Sequence, residues 1–283
     1  MRKLFLVSLT LLLLCSASAA QQPSPTPGTL TFYYDYTVVP GKEAEFDTLV
    51  KTVGAPVRDQ LMAQGVVTAW GVETPILRSP GGTTHLVWFS VENWANLEKV
   101  LDGMEAHRAK LAATEAQAAR RGMRTMTTEE RIRATIDNSK TRDWLTRDIV
   151  AGFGPQVMAP GVLPFTRYNF VKVKPGKGPD YRRTWEKYNK PVFDKLVADG
   201  VVLAYGLAAE EVKTDGNFTH FVWISTATMA AADRIGPAFN ADRARRSEKD
   251  RNEITEAFLE ATEPDKARSM VTRSRIFKLA PPK

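Results

Sequence analysis

The 283-residue sequence predicts an α+β fold built from two tandem β-α-β-β-α-β units, and three observations carry that prediction. The first is a repeat without gaps. Between residues 40 and 90, 19 of 51 positions are identical to the positions 135 further along. "PVRDQLMAQGVVTAWG" (56–71) returns as "PVFDKLVADGVVLAYG" (191–206), and "THLVWFS" (84–90) returns as "THFVWIS" (219–225). A fixed period of this length marks duplication of one supersecondary unit. The second observation is that apolar periodicity switches between strand-like and helix-like spacing in the same order in both halves. The third is punctuation by Pro and Gly at matching places, with "PGK" at 40–42 and again at 175–177.

Each element follows in turn. "TLTFYYDYTVVP" (29–40) and "PFTRYNFVKVKP" (164–175) are aromatic and β-branched runs that end in Pro, as strands do. Phe46, Leu49, Val50, Val53, Val57 and Leu61 then form one helical stripe, matched by Tyr181, Trp185, Tyr188, Val192 and Leu196. Pro56 and Pro191 fall inside those stripes, so each helix is kinked there or starts a new segment. Gly65 and Gly200 end them in the manner of a C-cap. Two strands follow, 66–77 and 85–90 in the first half, joined by "SPGG", with "TDGN" at the matching turn of the second half. A long charged helical region comes next, over 93–141 and over 228–269. A last strand closes each unit, "WLTRDIV" (144–150) and "MVTRSRIF" (270–277), now offset by 126. The expected organisation is a leader over 1–20, a disordered segment over 21–29, units over 30–152 and 165–279, and a linker over 153–164.

This order is the ferredoxin-like, split βαβ arrangement. A four-stranded sheet of that kind carries helices on one face and needs apolar cover on the other, which a duplicated chain supplies by packing its two sheets together. The element order and the repeat resemble the dimeric α/β-barrel superfamily, whose members include antibiotic-biosynthesis-type monooxygenases and EthD-like and NIPSNAP-like proteins. Here the dimer is fused into one chain. The resemblance covers residues 31–150 and 166–277. It implies the barrel fold, and its functional implication is a small-molecule site between or beside the sheets. The long, Arg-rich second helical regions depart from the short helix usual in that family.

Composition excludes several functions. Arg2 and Lys3, the apolar run 4–14 and the small residues up to Ala19 or Ala20 read as a secretory signal peptide, so the mature chain is expected in the periplasm or outside the cell. Lipid attachment at Cys15 is disfavoured by Leu14, where a small residue belongs. Cys15 is the single cysteine, and it leaves with the leader. That removes disulfides, thiolate metal sites and a cysteine nucleophile. No later run is long and apolar enough for a transmembrane span. The net charge is +7, or +5 without Arg2 and Lys3, but no nucleic-acid-binding motif accompanies it. "RRGMR" (120–124) and "DRARR" (242–246) therefore read as solvated helix faces, with weak contact to an anionic envelope surface as the alternative. The expected state is monomer or homodimer. No dinucleotide fingerprint, P-loop or nucleophile elbow is present, so no cofactor and no catalytic residue are assigned.

The candidate ligand-pocket residues are His85, His220, Tyr33, Tyr168, Trp70 and Tyr205, each a repeat pair. In the third strand of each unit, His85, Val87 and Phe89 (His220, Val222 and Ile224) share one face, and Leu86, Trp88 and Ser90 (Phe221, Trp223 and Ser225) share the other. The two histidines are either hydrogen-bonded residues at the sheet entry or ligand-gripping residues and weak bases in an inter-sheet cavity. No histidine–carboxylate spacing supports a metal site. His107, on a charged helix, is expected to face solvent. Asp35, inside an aromatic strand, needs a partner if buried, and its counterpart is Phe170. The favoured function is binding of a small, mainly apolar or aromatic molecule, with catalysis undecided. The alternatives are a non-catalytic envelope interaction or structural module, and a cofactor-free monooxygenase or isomerase. An inter-sheet cavity of a few hundred cubic ångströms touching His85 or His220 would favour binding or enzymology, and a filled core with exposed aromatics on the helices would favour interaction.

Overall fold

The computed structural model describes residues 28–78, 82–122, 126–159, 161–214 and 218–281. The leader expected over 1–20, residues 21–27 and most of both hairpin turns ("SPGG", "TDGN") lie outside the described residues. The first unit runs β1 (Leu30–Tyr36), α1 (Glu43–Leu49), a π-helical stretch (Val50–Gly54), α2 (Ala55–Ala63), β2 (Val67–Pro75), β3 (His85–Val91), α3 (Trp94–Arg120), α4 (Thr128–Thr135) and β4 (Arg142–Phe153). A 3₁₀ turn (Pro155–Met158) leads to the second: β5 (Phe165–Val171), α5 (Gly178–Tyr188), α6 (Lys190–Ala198), β6 (Ala204–Glu210), β7 (His220–Thr226), α7 (Met229–Ala232), α8 (Ile235–Ala244), α9 (Glu248–Ala261) and β8 (Arg268–Leu279).

The prolines act at matching places and leave different marks. Proline has no N–H to give the preceding turn. The first unit absorbs that loss in its π-helical stretch, and the second breaks between α5 and α6 at Asn189. Gly65 and Gly200 adopt φ of 72° and 68°, the left-handed conformation that ends a helix without a Cβ penalty. Asn93 and Thr228, repeat partners, cap α3 and α7 through their side-chain oxygens.

Within each unit the strand order is 4-1-3-2, and the two sheets meet at their edges to form a closed barrel, β1-β3-β2-β8-β5-β7-β6-β4. The sheets are thus joined by hydrogen bonds, β2 to β8 and β4 to β6, as the expected fused barrel requires. The splice is made by the last strand of each unit, which is longer than the sequence pattern indicates. Residues 142–147 of β4 pair with β1 and residues 146–153 pair with β6; β8 repeats the arrangement with β5 and β2. Closure leaves no bare edge for another chain to pair with. The register shifts between Asp148 and Val150 on β4, and opposite Val72/Glu73 on β8, where the ladder passes from Ile276 to Ser274. These two bulges occupy repeat-equivalent places and tighten the bend that closes the barrel.

Strand parity then sorts most of the apolar residues into three larger cores, beside a small cluster of Val157, Leu203 and Ala204. Outward-facing Leu30, Trp70, Val87 and Phe89 pack under α1–α4, and Tyr205, Leu207, Val222 and Ile224 pack under α5–α9. Inside the barrel, Leu86, Trp144, Phe170, Phe218 and Phe221 form an aromatic plug. Asp35 lies buried 3.5 Å from Arg142 Nη2, which supplies the partner its burial requires. Among the described residues no helix is long and apolar enough to cross a membrane.

Candidate functional site

The plug fills one part of the barrel and leaves the rest open. A cavity of about 330 Å³ remains, bordered by the start of β1, the ends of β3, β7 and β8, and the 3₁₀ turn between the units through Val157 and Met158. Its walls are the inward residues: Thr31 and Tyr33 on β1, Trp88 and Ser90 on β3, and their repeat partners Thr166, Tyr168, Trp223 and Ser225. Thr31 and Ser90 share a hydrogen bond of 2.9 Å between hydroxyls, and Thr166 and Ser225 one of 3.0 Å, so the polar lining is itself duplicated.

Two glycines let the indoles lie flat against the wall. Gly71 pairs with Trp88 across the ladder, and Gly206 pairs with Trp223. A Cβ on Gly71 would stand 2.8 Å from Trp88 Cζ2, and one on Gly206 would stand 2.4 Å from Trp223 Cε2. With no Cβ there, each indole crosses the neighbouring strand and its N–H reaches a buried carboxylate. Trp88 Nε1 donates to Glu73 Oε1 at 3.0 Å, and Trp223 Nε1 donates to Asp148 Oδ1 at 3.4 Å.

Glu73 and Asp148 are not repeat partners: Glu73 corresponds to Ala208, and Asp148 to Ser274. Yet the ladders pair Glu73 with Ser274 at the β2–β8 junction and Asp148 with Ala208 at the β4–β6 junction. Each junction therefore carries one acid of the same inward pair, contributed by a different strand. The second half does not copy the first, and the two acids differ in solvation. Glu73 is fully buried and also accepts from Tyr168 OH at 3.1 Å and from the Thr272 hydroxyl. Burial raises its pKa, opposed by the bonds from Thr272, Trp88 and Tyr168. Among the described residues Trp223 alone donates to the Asp148 side chain, and burial pushes its pKa up to about 7. Burial holds the Tyr33 and Tyr168 phenols far above their ordinary range, with Asp148 adding to the rise at Tyr33 and Glu73 at Tyr168.

Of the six candidates named from sequence, Tyr33 and Tyr168 line this cavity, their rings edge to face at a centroid distance of 6.5 Å. The other four face the helices because they have the opposite strand parity. The His85 ring packs on Phe46 of α1 at 4.7 Å, with Nε2 3.6 Å from Asp47 Oδ1 and Nδ1 3.1 Å from the Thr84 hydroxyl. His220 packs on Tyr181 of α5 at 5.5 Å, with Nδ1 3.0 Å from the Thr219 hydroxyl. Burial lowers both pKa values, that of His220 to about 4, and Asp47 opposes the shift at His85. Neither ring touches the cavity. Trp70 Nε1 donates to Asp59 at 3.1 Å, and the Tyr205 hydroxyl donates to Asp194, the repeat partner of Asp59. His107 is half-buried on α3 instead of facing solvent, and its Nε2 is buried with no hydrogen-bond partner among the described residues. Sequence reasoning missed Glu73 and Asp148, because neither acid has an acidic counterpart in the other half. The inward parity of Trp88 and Trp223 was the available signal. Among the described residues, no group of three or more His, Cys, Asp or Glu side chains is arranged to hold a metal ion.

The overall fold has solved counterparts. An anthrone oxidase-like protein superposes on 91% of this chain and 96% of its own, with a TM-score of 0.52 and 11% identity. Candidate monooxygenases from Fusobacterium nucleatum and Lactobacillus acidophilus each superpose on 90% of this chain, and on 96% and 97% of their own, with TM-scores of 0.56 and 0.57 and 10% identity. The shared fold is an α+β barrel of eight antiparallel strands with helices around it. At such identity the likeness shows the fold alone. No family model matches the chain, and no curated protein matches it.

Proposed function

We propose that this protein binds a small, mainly apolar molecule inside the barrel, with its ring or chain against Trp88, Trp223 and Phe277 and its polar atoms at the Asp148 end. The observation that carries the reading is the unfilled lumen itself. A barrel of eight strands is just wide enough for side chains to fill, and here about 330 Å³ is left beside two buried carboxylates. Apolar walls with a few convergent polar groups are the usual make-up of a ligand site. The cavity favours binding over the envelope-module alternative, although the histidines expected to mark it lie elsewhere. The three solved counterparts, described as oxidase-like or as candidate monooxygenases, agree with a small-molecule role at the level of fold.

A proton-transfer role is favoured by one observation: Asp148, with a pKa of about 7, is poised to give or take a proton near neutral pH beside the Tyr33 phenol. Export of the mature chain, read from residues 1–20, is part of the same proposal. The test is native mass spectrometry of protein purified from its own host, beside Ala204→Leu, which narrows the cavity at a buried wall position. The expected result is a retained small-molecule mass in the wild type that is lost in the variant. A mass retained equally by both would place the ligand elsewhere. The measured N-terminus of the same sample checks removal of the leader.

A further inference from the structure

The lumen is acidic in a basic chain. Lys and Arg outnumber Asp and Glu by 39 to 32 overall, yet Glu73, Glu92 and Asp148 border the cavity and no described Lys, Arg or His does. Glu92 stands exposed at the rim, whereas Glu73 and Asp148 are buried. A buried carboxylate is costly unless donors or a cation meet it. Glu73 is met by three donors, but Asp148 has one, at 3.4 Å, and no described residue donates to its other oxygen. The adjacent cation, Arg147, is turned away, with its guanidinium on Glu211 and the Gly28 carbonyl. The other titratable groups that line the lumen with Asp148 are the Tyr33 phenol on β1, Glu73 on β2, Glu92 just after β3 and Tyr168 on β5, and the Trp223 indole on β7 donates to it. None of them is a cation. The surrounding walls include Trp88, Trp223, Tyr33 and Tyr168, whose π-systems attract positive charge when water is excluded.

We propose that the occupant of the barrel is an organic cation, a primary ammonium on an apolar body, with its charged end at Asp148 between Trp223 and Tyr33. This rests on the reading of the cavity as a binding site and adds the chemical class of its ligand. The ammonium supplies the counter-charge and the donors that Asp148 lacks, and Trp88, Phe277 and Leu279 cover the body. Asp148 binds a cation when ionised, so ligand binding expels its proton, and affinity rises with pH until the carboxyl is fully ionised.

The experiment is calorimetric titration of the purified protein with three probes of nearly equal shape: phenethylammonium, the neutral phenethyl alcohol and the anionic phenylacetate. At about pH 8 the ammonium is expected to bind at least about tenfold more tightly than the alcohol, an order set by one desolvated cation–carboxylate contact, and phenylacetate not at all. Because Asp148 titrates at about 7, lowering the pH to about 6 is expected to weaken ammonium binding about tenfold and leave the alcohol unchanged. Asp148→Asn keeps an oxygen for Trp223 and is expected to abolish the preference for the ammonium. Glu73→Gln, which leaves Asp148 in place, is expected to retain most of it. Circular dichroism of both variants checks the fold. If the alcohol or phenylacetate binds as tightly as the ammonium, the cation is refuted while the cavity stands as a site. If none of the three binds, the binding reading falls with it.

Discussion

Two of the groups that set the pH dependence of stability, Asp148 and His220, act with opposite sign, and single substitutions separate them. Asp148 has an ordinary pKa of 3.8 and a folded value of about 7. The folded state holds its proton more tightly than the unfolded chain does. The stability this contributes is complete below 3.8 and disappears as pH rises to 7. At ~1.4 kcal/mol per pH unit the loss is about 4 kcal/mol. His220 has an ordinary pKa of 6.5 and a folded value of about 4, because burial against Tyr181 disfavours its charged form. Its contribution is complete above 6.5 and is lost as pH falls to 4, a loss of at most about 3 kcal/mol for this half-buried ring. In the wild type the two slopes oppose each other over nearly the same window. Asp148→Asn removes the first, so its stability relative to wild type is expected to rise by about 4 kcal/mol between about pH 4 and about pH 7. His220→Asn removes the second, and its relative stability is expected to fall by about 3 kcal/mol over the same range. Urea unfolding followed by circular dichroism at closely spaced pH values measures both, and taking differences against wild type cancels the other titrating groups. Difference curves that are flat, or that share a sign, would refute the assignment of these two environments.

Substitutions at four positions test how the lumen and its surroundings are built. Glu73→Leu leaves the donors Trp88, Tyr168 and Thr272 facing an apolar group and is expected to cost about 3 kcal/mol, whereas Glu73→Gln keeps an acceptor and should cost about 1 kcal/mol, both read from urea midpoints. Gly71→Ala should cost more, about 3 kcal/mol against about 1 kcal/mol, than Gly206→Ala. The new Cβ at 71 meets the Ile276 carbonyl oxygen at 2.9 Å as well as the indole, whereas at 206 the nearest atoms belong to Trp223, which has the cavity to move into. Arg58 is buried on α2 with no acceptor for Nε and no carboxylate in ion-pair reach among the described residues, where the second unit has Phe193 stacked on Tyr205. Arg58→Met is therefore expected to raise stability by about 1–3 kcal/mol in the same assay, and a loss would show that the guanidinium is compensated.

Much of this architecture is local and so could be read from one chain. The repeat at 135 residues, the Pro that interrupts each first helix, the Gly that ends it and the alternation in "THLVWFS" and "THFVWIS" each depend on residues near in sequence. They were enough for the element order and for the division of each third strand into a histidine face and a tryptophan face. Which of those faces is the lumen is not local. It depends on where the helices return, and they cover His85 and His220 and leave Trp88 and Trp223 to the cavity. The candidate site is further still from the sequence. Glu73 and Asp148 lie in different strands of one unit with unlike partners in the other. Only the β2–β8 and β4–β6 ladders, the first of which joins residues as far apart as Ala69 and Leu279, bring them to equivalent corners of one barrel. Strand parity is set by the period of the chain, but its sense and its neighbours are set by closure, and closure is a property of the whole sheet.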